Sequence, residues 1–184
     1  MVFFQYIRTL LGDPATFDTG ITDLEIHQSA SGPVLYSINQ TGGGVQAFGL
    51  TGAAPALLGQ TFLTGSSEQA PYTLAVLDLG SGETLFPVGH LPGSLSGWSI
   101  GASGALTTAA SWNADSGFSG NMETFASLEI GTTTYLFAHH YGTTGITAYQ
   151  ADVSLGLLYR GMTAAGSDTQ ASGAVQLATT SVGV

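Results

Sequence analysis

The sequence predicts an all-β protein built from repeated four-stranded units, in the manner of a β-propeller. Three observations support this prediction. The chain repeats itself at intervals of 50 and 51 residues, apolar and polar residues alternate within each copy, and no window keeps the 3.6-residue period of a capped helix. Glycine, with 27 residues among 184, suits an architecture with many tight turns.

The repeat is clearest where an apolar residue and an aromatic residue stand side by side. Each such pair is followed by a glycine-containing turn and by a second aromatic, 13 positions after the first leucine. The three segments are Leu35–Phe48, Leu85–Trp98 and Leu136–Tyr149. They align without gaps, and we expect the second aromatics to pack between neighbouring units.

One strand precedes each segment and another follows it, so each unit is predicted to contain four strands, a to d. The predicted blades cover about residues 20–65, 70–114 and 122–165. Alignment of the a strands on their apolar and acidic pattern puts Glu25, Asp78 and Glu129 at one repeat position, near the end of that strand.

The ends of the sequence resemble single strands of the same repeat. Residues 2–12 resemble a lone d strand and residues 171–184 a lone a strand. Propellers usually need at least about four blades. We therefore expect the array to continue into further chain, to be completed by another subunit, or to be covered by a partner.

Charge and composition exclude several classes of partner. Arg8 and Arg160 are the only basic residues, and the formal net charge is −10. Nucleic-acid binding requires cations that displace counterions, so no nucleic-acid partner is expected. No segment has the roughly 18 apolar residues that span a bilayer, so no membrane insertion is expected. The absence of cysteine excludes disulfides and thiol chemistry.

The start of the chain lacks the features of a Sec signal peptide. Residues 1–8 have no basic n-region and no small-residue cleavage site. If the protein is exported, we expect another signal to direct it.

Several sequence segments of the repeat resemble a known family. The segments Gly20–Ile26, Gly42–Phe48 and Ala171–Leu177, with the opening Tyr6–Gly12, resemble the N-terminal propeller-like regions of RTX-type (calcium-binding repeat) secreted proteins of alphaproteobacteria. That resemblance implies export without an N-terminal signal, extracellular or surface residence, and adhesive or binding roles. The calcium-binding nonapeptide of the family does not occur in this sequence, so calcium binding by this segment is not implied.

The predicted ligand-binding residues lie at one rim of the array. In a propeller the b–c and d–a connections gather on the same side, where ligands commonly bind. The polar and aromatic residues that the alignment assigns to this rim are Asn39, His90, Trp112, Asp115, His139, His140 and Tyr141. Trp112 has no counterpart among the repeating aromatics, so it is the better candidate for stacking on a sugar.

No catalytic residue, metal site or cofactor is predicted. His139 and His140 are residue types that bind metals, but neighbouring residues on a strand point to opposite faces. No Gly-x-Ser-x-Gly elbow occurs that would support a serine nucleophile.

We therefore expect a non-enzymatic binding or assembly module of an exported, surface or particle-borne bacterial protein, with a protein or glycan partner. Exposed strand edges favour a homo-oligomer or continuation into further chain. Two alternatives remain open. One is a lactonase-type hydrolase with a metal held on the rim by His139 or His140 and by Asp or Glu of other blades, and the other is a fibre or spike of a phage-like particle.

Overall fold

All the regular structure is β-strand, in a computed structural model that describes residues 20–39, 44–62, 71–78, 82–89, 94–113, 122–140, 145–152 and 156–163. The strands form three antiparallel sheets of four strands each, which confirms the all-β prediction. No helix within these ranges is long and apolar enough to cross a membrane. The predicted lone strands at 2–12 and 171–184 lie outside the described residues.

In every sheet, strands that are neighbours in sequence are also neighbours in space. Sheet 1 contains β1 (Ile21–Ser29), β2 (Gly32–Asn39), β3 (Gly44–Gly49) and β4 (Ala56–Phe62). Sheet 2 contains β5 (Pro71–Asp78), β6 (Glu83–Gly89), β7 (Ser94–Ile100) and β8 (Leu106–Asn113). Sheet 3 contains β9 (Met122–Ile130), β10 (Thr133–His140), β11 (Ile146–Asp152) and β12 (Gly156–Met162).

The repeating leucine and second aromatic are direct cross-strand partners in all three sheets. The pairs are Leu35 with Phe48, Leu85 with Trp98, and Leu136 with Tyr149. Because the number of residues between the two partners is constant, the second and third strands of each sheet pair in the same register.

A β-bulge recurs at one position in the first strand of every sheet. The extra residues are Thr22, Tyr72 and Glu123, which are 50 and 51 residues apart like the leucines. A bulge adds one residue to one strand and increases the local twist. The repeat therefore extends to the irregularities of the strands.

Strand pairing corrects the alignment of the first strands. Asp78 lies opposite Glu83 and Glu129 lies opposite Thr134, and the residue of β1 at the same level is Gln28, opposite Pro33. Glu25 lies three residues earlier and does not share their position. The predicted set of three equivalent carboxylates is therefore wrong.

The sheets stack in series, with sheet 2 between the other two. The first strand of sheet 2, β5, contacts the first strands β1 and β9, while the last strand β8 contacts β4 and β12. Like strands of successive sheets thus lie together. Sheet 2 is covered on both faces, and sheets 1 and 3 are each covered by sheet 2 on one face.

Two apolar cores fill the two junctions. The sheet 1–2 core contains Val34, Tyr36, Ile38, Val45, Ala47, Leu74, Leu85 and Trp98. The sheet 2–3 core contains Leu77, Phe86, Met122, Phe125, Leu136, Ala138, Tyr149 and Leu157. As expected for the second aromatics, Trp98 and Tyr149 pack between sheets, whereas Phe48 lies half-buried on the far side of sheet 1.

A turn of sheet 2 docks on sheet 1. The Tyr36 hydroxyl donates a buried hydrogen bond of 2.7 Å to the carbonyl of Gly104, in the turn between β7 and β8. The amide of Ser31 donates to the carbonyl of Ala102 in the same turn, at 3.2 Å. Gly104 has φ +82°, and a Cβ atom at this position would collide with Val34 of sheet 1. Only glycine fits this close approach without strain.

Candidate functional site

Three of the residues predicted at the rim lie at the turn ends of second strands. Asn39 ends β2, and His139 and His140 end β10; all three side chains are buried. Trp112 belongs to β8, where it pairs with Leu95 of β7. The remaining rim candidates His90, Asp115 and Tyr141 lie outside the described residues. Ligand binding at this rim stays a prediction.

The two adjacent histidines lie on opposite faces of sheet 3. His140 Nε2 is 3.4 Å from the hydroxyl oxygen of Tyr149, and the two rings meet edge to face at 6.4 Å. Tyr149 belongs to the sheet 2–3 core, so His140 points into that junction. His139 is paired with Thr124 and, by strand alternation, points to the other face. The two imidazoles are therefore not arranged to share an ion.

A row of ionisable side chains follows β1 on the face that meets sheet 2. Asp23, Glu25 and His27 occupy alternate positions, and alternate residues of a strand share a face. The row meets Glu83 of β6: His27 Nε2 is 3.0 Å from Glu83 Oε2, although this ring nitrogen makes no hydrogen bond in that geometry. The contact is an ion pair when the imidazole is protonated.

Sequence reasoning missed this row because it compared each carboxylate with other repeats. The signal was the spacing within β1 itself, where residues 23, 25 and 27 are all ionisable.

The Asp23 carboxylate links the first strands of sheets 1 and 2. Its Oδ2 accepts hydrogen bonds from the Thr73 hydroxyl at 2.6 Å and from the Leu74 amide at 2.7 Å. Its Oδ1 accepts from the Leu24 amide at 2.9 Å. Both oxygens are therefore occupied by the protein. Asp23 holds two sheets together, and it is not free to act as a base or nucleophile.

Glu25 has a perturbed proton affinity. Partial burial raises the pKa of its carboxyl group, the neighbouring Asp23 raises the pKa further, and His27 opposes the shift. Glu25 is thus more readily protonated than an exposed glutamate. A glycosidase needs a second carboxylate beside such an acid, as base or nucleophile. In this row the nearest one, Asp23, is already committed to hydrogen bonds.

The described residues contain no group of three or more His, Asp or Glu side chains positioned to hold a metal ion. The contacts of the β1 row with Thr73, Leu74 and Glu83 link sheet 1 to sheet 2.

The outer surfaces of sheets 1 and 3 carry clusters of apolar side chains. On sheet 1, strand alternation places both apolar and uncharged polar residues on the face turned away from sheet 2, the polar ones including exposed Gln28 and buried Ser37, Asn39 and Gln46. We call the apolar set on this face the sheet 1 end face: Ile21, Leu24, Ile26, Leu35, Phe48 and Leu57. Leu24 is 54% exposed and Ile26 is 66% exposed. No described residue on this face carries a charge, because Asp23, Glu25 and His27 point the other way.

The corresponding outer surface of sheet 3 also carries a cluster of apolar side chains, beside the hydrogen-bonded pair Arg160 and Gln150 and the buried His139. The sheet 3 end face consists of Leu128, Ile130, Tyr135, Phe137 and Leu158. Ile130 is 58% exposed, and the others are half-buried. Contiguous apolar surfaces of this kind indicate an interaction site.

The fold, an all-β stack of antiparallel sheets, resembles that of solved glycoside hydrolase structures. No protein-family model and no curated protein matches the chain. It is similar to two crystal structures of an exo-β-1,3-galactanase from Phanerochaete chrysosporium with β-1,3-galactotriose, with TM-scores of 0.52 and 0.51 and identities of 10% and 11%. Each likeness covers 76% of this chain and 34% of the galactanase chain, so this chain spans about a third of that length. At such low identity the likeness concerns the fold alone.

Proposed function

We propose that this chain is a non-enzymatic binding and assembly module, a propeller-like array from an exported, surface or particle-borne bacterial protein. The observation that carries the proposal is the pair of apolar end faces. Each resembles a surface that elsewhere in the chain is covered by another sheet. A fold that leaves both ends of its stack apolar is suited to binding a further layer of protein.

The order of the sheets supports a propeller-like arrangement. Successive sheets stack with first strands together and last strands together, as blades do around a common axis. A closed propeller has about four to eight blades. Three sheets therefore leave room for more sheets beyond each end face, and protein that supplies them is the binding partner of this module.

Export and surface location rest on the sequence. The resemblance of Gly20–Ile26 and related segments to RTX-type secreted proteins supports them.

A carbohydrate-active enzyme is the second candidate. The fold likeness to a galactanase favours it, and so does Glu25, whose raised pKa suits a general acid. The occupied carboxylate of Asp23 argues against it, since no free second carboxylate stands beside Glu25 in the row. A lactonase-type enzyme would need a metal at His139 or His140 with Asp or Glu of other blades, and the described residues contain no group of three or more such side chains placed to hold one.

The test combines a hydrolysis assay with a binding assay. The chain is incubated with β-1,3-galactotriose and galactose release is measured, for the wild type, Glu25→Gln and the exposed control Glu129→Gln. The module predicts no release from any of them. Release that is lost in Glu25→Gln and retained in Glu129→Gln would overturn the module in favour of the enzyme.

The binding assay measures binding of 1-anilinonaphthalene-8-sulfonate, a dye that binds exposed apolar surface, by each protein diluted until sedimentation shows it to be monomeric. The module predicts that Ile26→Lys lowers dye binding and that Ala53→Lys, in the exposed turn between β3 and β4, does not. Equal dye binding by the wild type and Ile26→Lys would show that the end face is not an available apolar surface.

A further inference from the structure

Each junction between consecutive sheets is made of two unlike halves. The earlier sheet contributes a single aromatic, and the later sheet contributes the leucine and its cross-strand aromatic. The combinations are Tyr36 with Leu85 and Trp98 in the sheet 1–2 core, and Phe86 with Leu136 and Tyr149 in the sheet 2–3 core. All six side chains are buried. The fold thus uses one type of junction twice.

The two end faces carry the unmatched halves of this same junction. Phe137 occupies in sheet 3 the position that Tyr36 and Phe86 occupy in sheets 1 and 2, one residue after the repeating leucine. Leu35 and Phe48 are the leucine–aromatic pair of sheet 1. These three side chains are half-buried, whereas their counterparts are buried. The sheet 1 end face thus carries the leucine–aromatic half of a junction, and the sheet 3 end face carries the single-aromatic half.

We infer that a second copy of this chain covers both end faces, with sheet 3 of each copy packed on sheet 1 of the other. Two chains related by a two-fold axis then form two equal junctions and close a ring of six sheets. The inference rests on the proposed function, since it names the partner of the module. A six-sheet ring falls within the usual range of about four to eight blades. A head-to-tail contact forms a closed ring when the rotation that relates successive subunits adds up to a full turn.

A second copy fits the end faces better than an unlike partner for two reasons. Both halves of the repeated junction come from this one chain, so the required complementarity is already present. The described sheet 1 end face also has no charged side chain, so two copies of a strongly acidic protein can meet there without opposing charges.

Two substitutions each block one end face. Ile26→Lys places a charge on the sheet 1 end face, and Ile130→Lys places one on the sheet 3 end face. Both isoleucines are largely exposed, so the cores inside the chain are unaffected. Their counterparts at internal junctions are Val76, packed against the sheet 1–2 core, and the buried Ser29, so both positions belong to the contact area. Ala53→Lys is the matched control.

Sedimentation equilibrium of the full 184-residue chain then distinguishes the possible contacts. The wild type and Ala53→Lys are expected to reach twice the chain mass of 18.7 kDa. Each blocked variant alone is expected to be monomeric, with association weakened on the order of a hundredfold or more, because each junction needs both faces and a buried unpaired lysine is costly. A mixture of the two variants retains one unblocked junction and is expected to give a one-to-one dimer.

Other outcomes overturn the inference in identifiable ways. A blocked variant that still dimerises alone would show that like faces meet. An open series of larger species in the wild type would show that the contact does not close. A monomeric wild type would exclude the second copy while leaving the module open, since dye binding at the end face would still report a surface for another partner.

Discussion

Replacing Gly104 with alanine is predicted to destabilise the stack through one contact between sheets 1 and 2. The left-handed backbone at φ +82° costs a residue with a Cβ about 1–2 kcal/mol. The new methyl group also collides with Val34, and overpacking of this kind costs about 1–3 kcal/mol. The expected loss in the free energy of unfolding is therefore about 2–5 kcal/mol.

Gly131→Ala is the matched control that measures the cost of the left-handed backbone alone. Gly131 also has positive φ, +65°, but a Cβ there would meet nothing within 4 Å. This variant is expected to lose only the backbone cost of about 1–2 kcal/mol. The assay is urea unfolding of both variants, followed by fluorescence and circular dichroism so that coincident transitions can be checked.

A double-mutant cycle isolates the collision itself. Val34→Ala removes the atoms that the new methyl group would strike, so it should recover part of the loss when combined with Gly104→Ala. Equal losses for Gly104→Ala and Gly131→Ala, or strict additivity in the cycle, would refute the close approach of the sheet 2 turn to sheet 1.

Three further predictions concern the polar groups at the same junction. Tyr36→Phe should cost about 1 kcal/mol near neutral pH through loss of its buried hydrogen bond. Burial raises the pKa of Tyr36 to about 12 from 10.0, with a smaller contribution from a nearby glutamate, so wild-type stability should fall between about pH 10 and pH 12 more steeply than that of Tyr36→Phe. The pKa of Glu25 is raised above 4.5, so protonation stabilises the fold in acid; urea unfolding should show Glu25→Gln more stable than the wild type at pH 7, and equal to it well below pH 4.5. Asp23→Ala should cost about 1.5–3 kcal/mol in urea unfolding, because it leaves the amide and hydroxyl of β5 unpaired, whereas exposed Glu129→Ala should change stability by less than about 0.5 kcal/mol. An unchanged Asp23→Ala variant would contradict the link between β1 and β5.

The sequence was sufficient to predict the middle of each sheet, because its geometry depends only on chain spacing. Thirteen positions separate Leu35 from Phe48, and the same spacing recurs in the other two copies. Equal spacing around a turn gives equal pairing, so the leucine–aromatic pairs followed directly. Packing between sheets also followed for two of the three pairs, Leu85 with Trp98 and Leu136 with Tyr149, whereas Leu35 and Phe48 lie on the outer face of sheet 1.

The first strands were harder, because their acidic residues do not recur at one position. The equivalent pairs Gln28–Pro33, Asp78–Glu83 and Glu129–Thr134 all have four residues between the partners, so the turns themselves match. Matching Glu25 to Asp78 by their similar surroundings shifted β1 by three residues. The spacing of 50 and 51 residues, applied to this strand as well, would have selected Gln28.

The burial of the rim residues could not be predicted from the alternation of apolar and polar residues. Asn39, His139 and His140 were expected near turns, and they do end their strands, but all are buried. The two-residue alternation of a strand shows which side chains lie on the same face of the sheet. It does not show what packs over that face. The exposure of the end faces is likewise a property of the stacked sheets that no local pattern in the sequence contains.

Chemical cross-linking between the end faces can show whether they are two halves of one junction. The chain has no cysteine, so Leu35→Cys and Phe137→Cys each introduce a single thiol. Packed sheets are about 10 Å apart, a distance that a short bismaleimide can span. We expect a cross-linked dimer in a mixture of the two variants and none in either variant alone. No cross-link in the mixture, or an equal one within a single variant, would contradict this expectation.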